Sequence, residues 1–324
     1  MDENLCLDVH ERYRLIRKIG SGGSGAVYEG VDTITDRPVA IKLERLAKDG
    51  PTMLMMELAL YEILHGGVGI PHIYWSGYEG DFHALVFELL GPSLEDLFNF
   101  CGRKFTLKTI LLLVDQLIRR MAYLHSRDVI HRDIKPENFL MGLGAKGNTV
   151  YTTDLGLSTR FRSARSGAVS PVSPKEPRLH GTEVFASVSG HWGIAQSRRD
   201  DMESLGYMIV YFARGSLPWQ GTGITDRTAR TKKILSMKES ITPEELCEGL
   251  PEEFARFFTH LRSVDFDEKP NYSYLRRMFQ KLFVRMGFEY DFVYDWTILL
   301  FLISEESKEQ EEESEESTED SLEG

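Results

Sequence analysis

Cysteine is scarce in this 324-residue chain, which has only Cys6, Cys101 and Cys247. So few and such widely separated thiols predict neither a disulfide framework nor a zinc site. We therefore expect a reducing compartment, the cytoplasm and, as a second candidate, the nucleus. The first residues also lack a basic region followed by an apolar one, so no signal peptide is predicted. The longest apolar run, Trp296 to Ile303, is too short to span a membrane.

Net charge is also small over most of the chain, although the formal net charge of the whole is −12. Residues 304–324 carry eleven acidic side chains against Lys308 alone, which leaves about −2 for the residues before them. Such a nearly neutral body argues against nucleic-acid binding, despite a basic run at 227–233. The acidic segment is predicted to be disordered, because it buries too little apolar surface to offset chain entropy. It either solubilises the protein or folds back onto basic loops and competes with substrate.

One stretch, Val129 to Leu140, concentrates chemically active side chains in the sequence VIHRDIKPENFL. Phosphoryl transfer requires a carboxylate for the proton of the attacking hydroxyl, a cation for the migrating group and an oxygen ligand for Mg²⁺. Asp133, Lys135 and Asn138 supply these three functions in that order. The alternative is a polar surface loop with chance charges, which does not account for the complete order of residues.

A glycine-rich segment, GSGGSGAV, starts at Gly20 and follows alternating apolar and charged residues that are typical of a strand. Glycines allow backbone N–H groups to approach phosphate oxygens that a Cβ atom would keep away. A dinucleotide-binding turn would be followed by a helix, but residues 26–30 have the pattern of a second strand. The segment is therefore interpreted as a hairpin lid over a nucleotide. Its candidate binding residues are Ile19, Gly20, Gly22, Gly25 and Val27.

Three charged residues at wide spacing complete the candidate nucleotide site. Lys42, in the sequence VAIK, would hold the α- and β-phosphates, although an exposed lysine at a strand end has the same pattern. Glu57 lies beside the apolar stripe of a helix predicted to run to about His65, where it either pairs with Lys42 or is solvated. Asp154, in the sequence TDLG, is a second candidate ligand for Mg²⁺, although Asp-x-Gly is also a common turn. The apolar stripe consists of Met53, Met56, Leu60 and Leu64.

Regular patterns stop at residues 88–93, where we predict a hinge between a strand-rich front lobe and a helical back lobe. Backbone groups near Leu90 are candidates for the adenine edge, and Phe87 would border the pocket. Ahead of the catalytic segment, residues 106–126 have a strong helical period. Asp201 begins a nearly all-apolar helix, and we expect its carboxylate to hold the backbone of the catalytic loop. The remaining candidate nucleotide-binding residues are Ala40, Glu88 and Leu140.

Further segments with a family-specific pattern are GGVGIP at 66–71, ELLGPSLEDLFNFC at 88–101, NFLMG at 138–142, QSRRDD at 196–201, GSLPWQG at 215–221 and KPNYSYL at 269–275. Together with the motifs above, they resemble a eukaryotic Ser/Thr protein kinase and, more narrowly, the casein kinase I family. The resemblance covers roughly residues 11–300. It implies a two-lobed α+β fold, ATP with Mg²⁺, and transfer of the γ-phosphoryl group to Ser or Thr hydroxyls of acidic or already phosphorylated proteins.

Five positions depart from the pattern of that family, and one of them is Ser189, where the family has Asn. Leu155 replaces the Phe of Asp-Phe-Gly, which keeps an apolar contact but changes its shape. Ser24 replaces a Phe at the tip of the lid, and Phe87 stands where Met is common, which narrows the inner pocket. In the segment 181–189 the family has an Arg that helps to bind an anion near the substrate, and this chain has Glu183 there. The reversed charge turns attraction into repulsion, which puts a preference for phosphate-primed substrates in doubt.

The same resemblance makes Thr182 part of the floor beneath the substrate hydroxyl. A cation that binds an anion at this place could survive as Arg227 or Arg230, and Arg227 is the candidate residue. Arg132, beside Asp133, could dock an anion from the exposed segment 160–180, in which two Ser-Pro dipeptides could be phosphorylated. These dipeptides begin at Ser170 and Ser173.

The predicted organisation is an N-terminal extension at 1–10, a kinase domain at 11–303 and a disordered acidic tail at 304–324. Within the domain, the N-lobe covers about 11–88 with one main helix, and the mainly helical C-lobe covers 94–303. We expect a monomer that acts on proteins with Ser or Thr in an acidic context. The alternative is a weakly active or inactive kinase that serves as a binding module. Loss of any one of six core polar residues would have favoured this alternative. All six are present: Lys42, Glu57, Asp133, Lys135, Asn138 and Asp154.

Overall fold

The computed structural model describes residues 8–22, 25–46, 52–161 and 179–320, and for 309–320 the helical backbone only. The lid tip Ser24 and the Ser-Pro sites at Ser170 and Ser173 lie outside these ranges, so their predicted roles stay predictions. Within the described ranges, no helix combines the length and apolarity that a bilayer crossing requires.

An antiparallel sheet forms the N-terminal region, with the described strands in the order β1-β2-β3-β4-β6-β5. One face is buried, as the alternating burial along β3 shows. Val9 is fully buried and β1 pairs with β2, so the described sheet includes Asp8 and Val9 of the predicted N-terminal extension. The strands are β1 (Asp8–Val9), β2 (Tyr13–Gly22), β3 (Gly25–Asp32), β4 (Arg37–Arg45), β5 (Ile73–Glu79) and β6 (Phe82–Glu88).

Helix α1 (Met53–Leu64) lies against this sheet. Its first N–H groups are satisfied by two side chains: Thr52 caps the helix, and the Glu44 carboxylate accepts from the amides of residues 53 and 54 at 3.0 and 2.6 Å. The predicted apolar stripe is wrong at Met56, which is exposed. The stripe that packs inward is shifted by one residue at its start, and Glu57 lies within it rather than beside it. Its buried residues are Leu54, Glu57, Leu60, Tyr61 and Leu64.

The C-terminal region is mainly helical, so the predicted two-lobed α+β fold is confirmed. Helix α3 matches the strong helical period at 106–126, and the side chain of Thr106 caps its start. Aromatic side chains from α2, α5 and the start of α10 pack around Phe98 and Phe105 beside it. The helices are α2 (Leu94–Phe100), α3 (Leu107–Ser126), α4 (Val188–Trp192), α5 (Arg198–Arg214), α6 (Arg227–Ser240), α7 (Pro243–Leu246), α8 (Glu252–Arg262), α9 (Tyr272–Arg285) and α10 (Asp295–Asp320). Short strands are β7 (Val129–Ile130), β8 (Phe139–Met141), β9 (Val150–Thr152) and β10 (Thr159–Arg160).

The structure corrects the expectation that the chain is disordered from residue 304 onward, because α10 is continuous to Asp320. The helix is anchored at its start, where the Asp295 carboxylate accepts hydrogen bonds from Thr106 N and Oγ1 at 2.6 and 2.7 Å. Glu, Gln and Lys, which dominate its second half, have high helix propensity. The composition argument weighed burial alone and missed this local preference. Residues 321–324 lie outside the described part of the chain.

Candidate active site

The strand register gathers four predicted nucleotide-binding residues on one face of the sheet. Lys42 lies directly opposite Val27 of β3, and Ala40 lies directly opposite Phe87 of β6. Directly opposed residues point to the same face, as do residues two apart along a strand. Val27, Ala40, Lys42 and Phe87 therefore share the face that looks toward the helical lobe.

The described glycines of the glycine-rich segment lie where β2 ends and β3 begins, and these strands pair antiparallel, so the structure excludes the dinucleotide-binding alternative with its following helix. Gly20 pairs with Val27, and Gly22 pairs with Gly25. Gly25 has a φ of +120°, and a Cβ atom there would collide with the carbonyl oxygen of Leu43. A side chain at this position is therefore incompatible with the hairpin as it lies against β4.

An ion-pair chain connects the sheet to helix α1 and to the segment after β9. Lys42 Nζ lies 2.7 Å from Glu57 Oε2 and 3.4 Å from Asp154 Oδ1. Burial lowers the pKa of Lys42, but the two carboxylates outweigh it and the pKa is raised, which keeps the ammonium charged. Burial opposes ionisation of Asp154, yet Lys42, His131 and Lys135 outweigh it and its pKa is lowered. The predicted pairing of Lys42 with Glu57 is confirmed.

Asp154 is held in a strained conformation at the mouth of this cluster. Its φ of +57° lies in the left-handed region, which is uncommon for residues other than glycine but better tolerated by Asp. The next residue, Leu155, is buried, and its amide donates to Glu57 Oε1 at 3.2 Å. Glu57 therefore fixes both Lys42 and the turn that carries Asp154, whose side chain remains 42% exposed.

The catalytic-loop carboxylate, Asp133, lies between a cation and a hydroxyl. Lys135 Nζ is 2.9 Å from Asp133 Oδ2, and Thr182 Oγ1 donates to Asp133 Oδ1 at 2.7 Å. The side-chain amide of Asn138 donates to the backbone carbonyl of Asp133 at 2.9 Å. The structure thus brings Asp133, Lys135, Asn138 and Thr182 together as the sequence predicts.

A buried carboxylate from α5 supports this loop from below. Asp201 accepts hydrogen bonds from the amides of His131 and Arg132 at 2.7 and 2.8 Å, and lies 2.8 Å from His125 Nε2. Burial alone would raise the pKa of Asp201, but the bond and charge of His125 and the other donors lower it. The predicted structural role of Asp201 is confirmed, and the left-handed φ of Arg132, +66°, shows how tightly the loop turns here.

Replacing Asp201 by Ala should lower the free energy of unfolding by about 3–5 kcal/mol, because the change leaves the buried amide of His131, the part-buried amide of Arg132 and the buried His125 without their acceptor. Urea unfolding followed by circular dichroism measures this loss. Asp81→Ala, which removes an exposed carboxylate, is the matched control and should change stability by less than about 0.5 kcal/mol. A loss for Asp201→Ala that is no larger than the control would show that the loop does not depend on this carboxylate.

Asn138 and Asp154 meet the chemical requirements of a Mg²⁺ site. The amide of Thr153 donates to the carbonyl of Asn138 at 2.9 Å, which places Asp154 beside the catalytic loop. The Asn138 side-chain NH₂ is used by Asp133, so its amide oxygen points the other way. One carboxylate and one amide oxygen are hard ligands of the kind that Mg²⁺ prefers, with the rest of its shell supplied by phosphates and water.

The hinge lies where the sequence predicts it, between β6 and α2. Gly91 N donates to the carbonyl of Met141 at 2.8 Å, and Met141 N donates to that of Pro92 at 3.0 Å. Leu140, bridged to the hinge at Ser93, therefore forms the floor beneath it. The carboxylate of Glu88 pairs with Lys146 at 2.6 Å and its backbone amide donates to the carbonyl of His72 at 2.8 Å, so neither group is left for a nucleotide.

The structure corrects the assignment of Arg227 as the anion-binding cation. Arg227 is exposed at the start of α6, whereas Arg230, one turn later, lies 2.7 Å from Glu183 Oε2. Thr231 Oγ1 donates to the other carboxylate oxygen of Glu183 at 2.6 Å. The sequence left Arg227 and Arg230 open because only the docking of α6 decides which residue faces Glu183.

Arg132 lines a cavity of about 380 Å³ together with Leu157, His180 and Gly181. Its Nε donates to the carbonyl of Leu157 at 2.7 Å. The predicted anion from the segment 160–180 falls mostly outside the described residues, so that role stays a prediction.

Sequence reasoning missed Lys238, which is buried beneath the segment that follows Thr182. Its signal was nevertheless present. The buried positions of α6 are Thr231, Ile234, Leu235 and Lys238, at the spacing of an apolar helix face. A lysine in the core position of such a pattern requires a partner and marks a site to examine.

The sheet with its glycine-rich hairpin faces a helical lobe that presents a carboxylate, a lysine and a candidate metal-ligand pair. This arrangement is that of a two-lobed phosphotransferase. The chain matches the family model of the protein kinase domain over residues 13–281. It therefore belongs to the protein kinase family, whose activity implies ATP as phosphoryl donor and usually Mg²⁺, and proteins as substrates.

Proposed function

We propose that this chain is an active Ser/Thr protein kinase similar to the casein kinase I family, which transfers the ATP γ-phosphoryl group to hydroxyls in acidic protein sequences. The observation that carries the proposal is the intact polar cluster on both sides of the cleft. Lys42 reaches both Glu57 and Asp154, and Asp133 is held between Lys135 and Thr182. No member of the set is replaced by an inert side chain.

Each residue has a defined task in this proposal. Lys42, held by Glu57, binds phosphate oxygens of the nucleotide, and Asp133 orients the acceptor hydroxyl and receives its proton. Lys135 neutralises charge on the migrating group. Mg²⁺, when bound by Asn138 and Asp154, supplies charge neutralisation at the phosphates.

The restriction to Ser and Thr and the acidic context are supported by the resemblance to casein kinase I segments. The experiment is a peptide library incubated with Mg·ATP, with acidic, phosphorylated and neutral residues placed upstream of Ser, Thr or Tyr. Phosphate on Ser and Thr in acidic peptides is the expected result. Protein that transfers no phosphate to any peptide, while still binding nucleotide, would favour a binding module instead.

Glu183 is expected to weaken the selection of phosphate-primed peptides, because it already occupies the guanidinium of Arg230. Glu183→Gln keeps the size of the side chain but removes the charge that competes for Arg230. We expect the KM for peptides with an upstream phosphate to fall about 1.4- to fivefold, since a partly exposed ion pair contributes about 0.2–1 kcal/mol. The KM for neutral peptides should not change.

Steady-state kinetics with a matched pair of peptides, with and without the phosphate, measures this difference. Glu289→Gln, at an exposed carboxylate after α9, is the control and should leave both KM values unchanged. An equal change for both peptides in Glu183→Gln would show that Glu183 does not act on the charge of the substrate.

A further inference from the structure

Lys238 is 1% exposed, although it carries an ammonium group. Moving an isolated ammonium from water into a protein interior is strongly unfavourable unless partners replace its hydration. The aromatic rings of Tyr207 and Trp219 lie 4.7 and 4.9 Å from its Nζ, which provides cation–π contact on one side. The opposite side faces a turn of backbone rather than a carboxylate.

Three backbone carbonyls of this turn converge on the ammonium. Nζ of Lys238 donates to the carbonyl oxygens of Glu183, Val184 and Ala186 at 3.2, 3.0 and 2.7 Å. An ammonium has three N–H donors and no acceptor, so the set of three oxygens matches the charged form. A neutral amine would lose one of these bonds and direct a lone pair at an oxygen.

The turn that receives these bonds is the one that presents Thr182 to the catalytic carboxylate. Phe185 N and Ala186 N donate to the carbonyl of Thr182 at 3.0 and 2.8 Å, which closes the turn. Thr182 Oγ1 in turn donates to Asp133 at 2.7 Å. A continuous series of contacts therefore runs from the Lys238 ammonium to the group that accepts the substrate proton.

We propose that Lys238 is a positioning residue for the phosphoacceptor, whose ammonium holds the turn 182–186 so that Thr182 and the substrate hydroxyl are aligned with Asp133. This inference rests on the proposed function, since it assigns a role in transfer to a peptide. Lys238 acts through the turn and does not contact the nucleotide half of the site, at Lys42 and Asp154.

The surroundings of the ammonium set the pH at which this support is lost. Burial lowers the pKa of Lys238 to about 7, against the opposing charges of Glu203 and Glu183. Burial and then Asp200 raise the pKa of Glu203 itself. Two further titratable groups near the ammonium are His191 of α4 and Tyr207 of α5. Burial and then Lys238 lower the pKa of His191 to about 3, and burial raises that of Tyr207 well above its ordinary value, so both stay neutral in the relevant range.

The sign of the effect differs between activity and stability. The ammonium is present below about pH 7 and lost as the pH rises through that value, so peptide phosphorylation falls there. Burying the charged ammonium lowers the free energy of unfolding. Because the pKa in the folded protein lies below the ordinary value of 10.5, this cost is present in full below about pH 7 and disappears as the pH rises toward 10.5. Stability therefore does not fall over the range in which activity does.

The test compares wild type with Lys238→Met, which fills the same space without charge, and Lys238→Arg, which stays charged throughout. We expect Lys238→Met to lower the peptide kcat about tenfold or more, while the KM for ATP and the slow hydrolysis of ATP by water change less than about twofold. The wild-type kcat should decrease between about pH 6 and pH 9 toward the value of Lys238→Met, whose own profile is flat. Lys238→Arg should retain turnover without this decrease, and it serves as the test if Lys238→Met does not fold.

Lys281→Met, an exposed lysine of α9, is the matched control and should behave as wild type. A wild-type kcat and pH profile in Lys238→Met would overturn the inference. A loss of peptide transfer and ATP hydrolysis in equal proportion to the folded fraction would also overturn it, because that result indicates a purely structural lysine. Wild-type protein that phosphorylates no peptide would contradict the proposed function itself. The two outcomes above, measured with an active wild type, would contradict only the role of Lys238.

Discussion

Asp133→Asn should lower the peptide kcat by about 10²–10⁴-fold, the range that a general base contributes. The substitution keeps the size of the side chain and an oxygen for the Thr182 hydroxyl, but it removes the charge that receives the acceptor proton. It also leaves Lys135 without its partner at 2.9 Å. The KM for ATP should change little, because the contacts of Lys42 and Asp154 are untouched. Initial rates with radiolabelled ATP measure the effect.

Asp81→Asn, at an exposed carboxylate between β5 and β6, is the control for the loss of one negative charge and should retain full turnover. Thermal unfolding of both variants shows whether the catalytic loop is intact. A folded Asp133→Asn protein with more than about a tenth of wild-type kcat would exclude Asp133 as the base.

Asp154→Ala should reduce peptide phosphorylation by on the order of 10³-fold or more, since charge neutralisation at a phosphoryl group contributes several kcal/mol. Lys42 would also lose one of its two carboxylates. A readout independent of turnover is the thermal stabilisation by nucleotide. In wild type it should increase when Mg²⁺ is added, and in Asp154→Ala it should be the same with and without Mg²⁺.

Asp154→Asn distinguishes charge from backbone strain, because Asn tolerates the left-handed φ of +57° that disfavours Ala. Asp154→Ala should lose the Mg²⁺ dependence and should also be destabilised by the strained turn. Asp154→Asn keeps an amide oxygen, the same kind of ligand as Asn138, so it should retain a weakened Mg²⁺ dependence without that destabilisation. Mg²⁺-dependent stabilisation in Asp154→Ala as large as in wild type would show that this carboxylate is not a ligand of the metal.

The candidate site was predictable to a large extent because its parts are short local motifs. The catalytic loop, the TDLG turn and the glycine-rich hairpin each place their functional side chains within a few residues, so order and spacing identify them. The pairing of Lys42 with Glu57 was predicted from the need to position the lysine, and the structure confirms it at 2.7 Å. The role of Asp201 in holding the catalytic-loop backbone was predicted from its place at the start of a buried helix, and its two hydrogen bonds to that backbone confirm it.

Predictions that depended on one residue among several on a helix surface were less successful. Met56 was assigned to the buried face of α1, although it is exposed and Leu54 is buried. Arg227 was chosen as the anion-binding cation, although Arg230 faces Glu183. Residues three or four apart in a helix differ little in sequence pattern, and the rotation of the helix against its neighbours decides between them.

The amino-acid sequence by itself therefore determined the class of this protein, the order of its lobes and the identity of the six core polar residues, because these follow from local spacing. Tertiary structure alone decided which distant groups meet. The pairing of Glu183 with Arg230, and the burial of Lys238 beneath the three carbonyls of residues 183, 184 and 186, depend on how α6 docks against the turn. Contacts between segments some fifty residues apart arise from packing of the whole lobe, and no local pattern encodes them.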